Sequence, residues 1–190
     1  MSGYKPIGTE LLFATYNAAT VSVPTAAAVT ITAGWPAIII PAGYMSNLGD
    51  WTSSLKFKMG GFMTATATLP TWSFGLAIST SNTFSASTPL ATPTLATTPT
   101  AGSFSWKMEA EIGLRTMGGP GTTSTLVCHA AIDGGAFAAN LQTSPVATGN
   151  ALITNYDKNI NYWLWPYLTL SAATAANTVT AQYGKLYGEN

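Results

Sequence analysis

Glu109 and Glu111 are the residues of this chain whose type and spacing most readily suggest chemistry. They lie two apart in WKMEAEIGLR, Trp106 to Arg115, in a chain that is only 7% charged. On an extended strand, residues two apart share a face at a spacing of about 7 Å. Glycosidases use carboxylate pairs at comparable separations as acid, base or nucleophile. The same two-residue spacing recurs with opposite charge in Lys56 and Lys58 of SLKFKMGG. Lysines facing glutamates across a sheet contribute about 0.2–1 kcal/mol per pair. They also pin register, because a one-residue slip would turn Trp106, Met108 and Ile112 out to solvent. The matched spacing favours this second reading: Lys56, Lys58, Glu109 and Glu111 are expected to be cross-strand ion pairs, with Lys107 and Arg115 at the ends of the ionic face.

The other reactive types are scarce. His129 is the one histidine and follows Cys128, the one cysteine. Adjacent strand positions face opposite ways, so the two are not expected to ligate a metal together. No CxxC, HxxxH or HExxH spacing supplies further ligands. A Ser-His-Asp triad would need His129 as its base, and no G-x-S-x-G elbow offers the nucleophile. A buried or interfacial histidine is the expectation. MGGPG, residues 117–121, lacks the Lys-Ser/Thr of a phosphate loop and reads as a turn. The sequence therefore predicts no catalytic, cofactor-binding or metal-ligating residues, and no enzyme.

NYWLWPY offers a different function. Alternation turns Tyr162 and Leu164 inward and displays Trp163, Trp165 and Tyr167, while Pro166 marks an edge strand. An aromatic face of this kind suits a subunit interface, or it stacks on sugars. The interface is the favoured reading, and a glycan site is the alternative.

Such side chains need strands to hold them, and the composition supplies strands. Thirty threonines and few charges give a surface of β-branched and small polar residues, where an ordinary domain carries roughly 25% charged residues. Seven basic and seven acidic residues leave no net field to attract nucleic acid or an anionic membrane. One cysteine excludes an internal disulfide framework. The start, MSGYKPIGTELLF, does not resemble a signal peptide, and no apolar run approaches the roughly 18 residues of a membrane span. The chain is expected to be cytoplasmically made and soluble.

Period-two alternation recurs at 55–59, 72–78 and 106–114, punctuated by Gly and Pro, with almost no helical periodicity. Gly60-Gly61 suggests a bulge or a close backbone approach. Residues 80–102, rich in Thr, Ser and Pro, read as one extended surface loop. The pattern predicts an all-β fold, an antiparallel β-sandwich of jelly-roll type, with residues 1–190 in a single domain.

The run IPAGYMSNLGDWTSSLKFKMGGFMTATATLPTWSFGLAIS, a Thr-rich loop and SFSWKMEAEIGLRTMGGPGTTS together resemble a group of tailed-bacteriophage structural proteins. The shared features are a basic alternating strand ending in Gly, a Thr/Ala stretch, and a Trp-containing acidic strand ending in Arg-Thr. The likeness covers roughly residues 40–123. It implies a non-enzymatic virion β-sandwich, most directly a capsid decoration protein, with a tail or fibre component as runner-up. It also implies an oligomer, expected to be a homotrimer, bound to the major capsid protein or to tail subunits. A carbohydrate-binding adhesin is the alternative from another class.

Overall fold

The structure, a computed structural model, describes residues 9–23, 27–45, 54–66, 70–92, 94–95, 101–116, 118, 123–135, 153–172 and 174–189. In chain order the strands are β1 (Thr9–Thr15), β2 (Ala19–Val23), β3 (Val29–Thr30), β4 (Ile38–Ile40), β5 (Ser54–Ala65), β6 (Trp72–Ser79), β7 (Pro89–Ala91), β8 (Thr94–Leu95), β9 (Gly102–Thr116), β10 (Ser124–Gly135), β11 (Ile153–Tyr156), β12 (Tyr162–Leu170) and β13 (Thr174–Glu189). One sheet, here sheet A, runs β1-β13-β5-β9-β10-β11 with β2 also on β13. Sheet B runs β3-β12-β6-β7, with β4 also on β12 and β8 on β6.

The winding is that of a jelly roll. Strands β1, β5, β9 and β13 lie side by side in sheet A as β1-β13-β5-β9, and the strands between them form sheet B in the order β4-β12-β6-β7. β10 and β11 extend sheet A beyond that frame. Fold class and antiparallel pairing are as the alternation predicted.

The core explains why these segments become strands. β5 buries Leu55, Phe57, Met59 and Met63, and β6 buries Trp72, Phe74, Leu76 and Ile78. β9 contributes Trp106, Met108, Ala110 and Ile112. Each is one half of a period-two pattern; on β5 and β9 the other face turns toward solvent, whereas on β6 Gly75 and Ala77 of that other face are buried as well. Each large apolar side chain removed from water contributes about 1.5–3 kcal/mol. The sheets meet at Phe74 and Trp106, whose ring centroids lie 4.7 Å apart.

Gly60-Gly61 lies opposite an irregularity in β13, where the register shifts between Ala181 and Tyr183. A Cβ on Gly61 would run into the Thr180 backbone, so the strands approach more closely there than a side chain allows.

The structure divides the stretch read as one surface loop, 80–102. Residues 80–88 form a loop fastened by short serine contacts, Ser85 Oγ to Ser87 Oγ at 2.7 Å among them. β7 and β8 then return to pair with β6, and Leu90 is buried in the core. Pro89 opens a short edge strand, where a proline costs no needed ladder bond. Two or three residues of alternation are too few to read against so uniform a composition.

Candidate functional site

The four ionic residues lie on the outer face of sheet A. β5 and β9 pair in the register that sets Lys56 opposite Glu111 and Lys58 opposite Glu109. Lys58 Nζ stands 3.5 Å from Glu109 Oε1. The same oxygen has a nearer cation, Lys107 Nζ at 2.6 Å, from two residues back on its own strand. Lys56 bonds not to Glu111 but to Glu189 of β13, at 3.1 Å. Glu189 is held ready for it, since Ser54 Oγ donates to its other oxygen at 3.3 Å.

The hydrogen bond from Lys107 holds the Glu109 carboxyl below its ordinary range, against the opposing effect of partial burial. Lys56 is raised by its hydrogen bond to Glu189, and Lys107 by its bond to Glu109. A general acid working near neutral pH needs a carboxyl shifted upward. Glu109 is shifted downward, on an outward sheet face, by cations that bind its charged form.

His129 is exposed on the same face, directly opposite Glu111 across the β9–β10 ladder. Of the buried or interfacial histidine expected, the buried alternative gives way to this, because the core-facing positions of β10 are taken by Leu126, Cys128, Ala130 and Ile132. Cys128 points the other way, and burial pushes its thiol up to about 12. Among the described residues no group of three His, Cys, Asp or Glu side chains is placed to hold a metal. Of MGGPG only Gly118 is described; its N–H donates to Ser124 Oγ at 3.1 Å.

The aromatic strand differs from expectation in two ways. β12 is not an edge strand: β6 flanks one side along its length, and β3 and β4 share the other. Pro166 falls in the gap between them, after the residues paired with β4 and before those paired with β3. A residue's N and O point to the same side of a strand, and here the Pro166 oxygen accepts Ile31 N at 3.1 Å. Its missing N–H therefore faces the interruption, and no ladder bond is lost.

The display of aromatics is also narrower. Tyr167 is only 5% exposed, lying over Gly75 of β6, where a Cβ would enter its ring. Phe84, from the 80–88 loop, packs on Tyr167 at 5.8 Å and on Trp165 at 6.1 Å between centroids. Trp163 and Trp165 remain half-buried. The sequence reading missed Phe84, a lone aromatic in SNTFSAS whose partners are remote in sequence. Beside Trp165 opens a cleft of about 250 Å³ lined by Thr32, Trp35, Asn82 and Leu164 among others. A wider, hydroxyl-rich cleft of about 550 Å³ runs along Ser79, Ser85, Ser87, Asn155 and Tyr162.

The two outer faces divide the charge. Sheet A presents Lys56, Lys58, Lys107, Arg115 and Lys185, five of the seven basic residues, and Glu109, Glu111, Asp133 and Glu189, four of the seven acidic ones. The strands of sheet B carry no charged residue.

No family model matches this chain, and neither a curated protein nor a solved structure matches it.

Proposed function

We propose that this chain is a non-enzymatic structural subunit of a bacteriophage virion, most directly a decoration protein that reinforces the capsid shell. The observation that carries the reading is the division of the surface. One outer face gathers most of the charge, with Lys56, Lys58, Lys107, Glu109 and Glu189 joined in salt bridges. The other is neutral, hydroxyl-rich and aromatic, with Trp163 and Trp165 half-buried on it. A neutral face with aromatic anchors and few charges to desolvate has the composition of an interface core. Of the two carboxylates that most resembled a catalytic pair, Glu109 is occupied in a cross-strand and a same-strand ion pair. Sheet B would therefore meet the shell. The purified chain should co-sediment with undecorated shells of the virion that carries it, and Trp163→Ala/Trp165→Ala should release it. Binding to isolated tails instead would favour the runner-up, a tail or fibre component. Binding to neither would remove the virion reading.

The cleft beside Trp165 favours one second reading, a carbohydrate-binding adhesin. Two indoles, an amide (Asn82) and a hydroxyl (Thr32) line it. Ring stacking plus hydrogen bonding is how sugars are held. A glycan array would show it, as a signal lost in Trp165→Ala.

A further inference from the structure

We propose that the ionic face of sheet A is a two-fold interface between two copies of this chain, packed face to face about an axis running along the β5–β9 gap. The inference does not depend on the virion reading.

The gap between β5 and β9 is the midline of the sheet: the path β1-β13-β5-β9-β10-β11 has three strands on each side of it. Consider a two-fold axis parallel to the strands, above that midline. It lays β5 of one copy over β9 of the other, and β13 over β10, with positions along the strands unchanged. Residues opposite each other within one chain are then opposite each other between chains. Lys56 is opposite Glu111 and Lys58 opposite Glu109, so each lysine pair lands on the other copy's glutamate pair, twice over by symmetry.

The outer strands continue the match. Tyr183, Gly60, Lys107 and Asp133 form one row across β13, β5, β9 and β10. The axis sets Lys107 of one copy over Gly60 of the other, where the Tyr183 ring leans across the glycine with its hydroxyl 3.0 Å from the place of a Gly60 Cβ, so the ammonium meets a hydroxyl. Lys185, Lys58, Glu109 and Ala131 form the next row, so Lys185 arrives over an alanine. No like charges meet in these rows. An axis across the strands at the level of Lys56 and Lys58 would instead lay β5 on β5 and lysine on lysine, so for this overlap the charge pattern favours the axis along the strands.

The face is also large enough. Five strands about 4.8 Å apart and ten residues at about 3.3 Å each span on the order of 800 Å². That is roughly the area each partner contributes to a stable interface. Phe62, 47% exposed, and Leu11, 55% exposed, lie on this sheet and add apolar contact. The Lys56, Lys58 and Glu109 side chains are each only 35% exposed, so less hydration remains to be lost there than for fully exposed ions. The two-fold differs from the trimer that the phage resemblance implies.

The test is sedimentation equilibrium of the whole chain and two charge-reversed variants. Wild type should show twice the 19.7 kDa chain mass. Lys56→Glu/Lys58→Glu and Glu109→Lys/Glu111→Lys should each be monomeric alone, with wild-type circular dichroism, and should dimerise when mixed. Ala131→Arg guards against variants that fail to fold. Within a chain it faces Glu109, which favours folding, but across the axis it meets Lys185. It should weaken dimerisation at least ten-fold. A wild-type mass of one or three chains would overturn the proposal. So would dimers of either reversed variant alone, or an Ala131→Arg chain that dimerises as wild type does.

Discussion

Lys107 Nζ lies 2.6 Å from Glu109 Oε1, nearer than the cross-strand Lys58 at 3.5 Å. One carboxylate oxygen thus joins two cations, one from its own strand and one from β5. The Glu109 side chain is 35% exposed, so solvent screens both contacts, and an exposed pair contributes about 0.2–1 kcal/mol at most. Glu109→Ala should lower the melting temperature by no more than about 2–4 °C, the shift expected of 1 kcal/mol in a domain of this size. Glu109→Lys should cost more, because it sets three lysines together. Thermal melts of the two variants check the order.

The same contacts dictate a pH dependence. The hydrogen bond from Lys107 lowers the folded-state carboxyl of Glu109 from its ordinary 4.5. Protons therefore bind the unfolded chain more tightly than the folded one. The contribution to stability is full above the ordinary value and is lost as pH falls through the lowered one. Lys56 and Lys107 are raised from 10.5, so their contributions are present below that value and fade as pH rises through the raised ones. The melting difference between wild type and Glu109→Gln should shrink below about pH 4. An undiminished difference at pH 2 would contradict the assignment.

How much of this was legible beforehand follows from the range of each interaction. The Lys56–Lys58 and Glu109–Glu111 register was readable because both patterns have period two and each strand has one apolar face. The Glu189 partner of Lys56 was not, since β13 lies at the far end of the chain and its aromatic alternation gives no hint of its neighbour. Pro166 pointed to an edge, which is the usual consequence of a missing N–H. The actual solution, a partner strand broken opposite the proline, depends on two short strands, β3 and β4, whose places are set by tertiary packing. Phe84 covering Tyr167 is likewise a contact between a loop and a strand some eighty residues apart.

Cys128 gives a chemical check on β10. Burial pushes its thiol up to about 12, and the thiolate, not the thiol, is the nucleophile. The native protein should fail to react with an aromatic disulfide reagent at pH 8 over minutes, and should react fully in denaturant. Rapid native reaction would mean that β10 turns Cys128 outward and His129 inward, reversing the ionic face.

Gly75 tests the covered side of sheet B. Tyr167 lies opposite Gly75 across the β6–β12 ladder, and a Cβ built on Gly75 would enter the Tyr167 ring. The glycine is there to receive the ring, since its backbone is ordinary strand and needs no special torsion. Gly75→Ala should push Tyr167 outward against Phe84 and cost about 1–3 kcal/mol, the usual range for overpacking. Tyr167→Leu alone should also cost stability, by opening space under Phe84. Replacing both residues should cost less than the sum, because the leucine leaves room for the added methyl, and residues in contact are coupled by about 0.5–3 kcal/mol. Denaturant unfolding of the two single variants and the double variant measures the coupling. Simple additivity would mean that Tyr167 does not rest on Gly75 but stands out on the surface beside Trp163 and Trp165, as the period-two pattern first suggested.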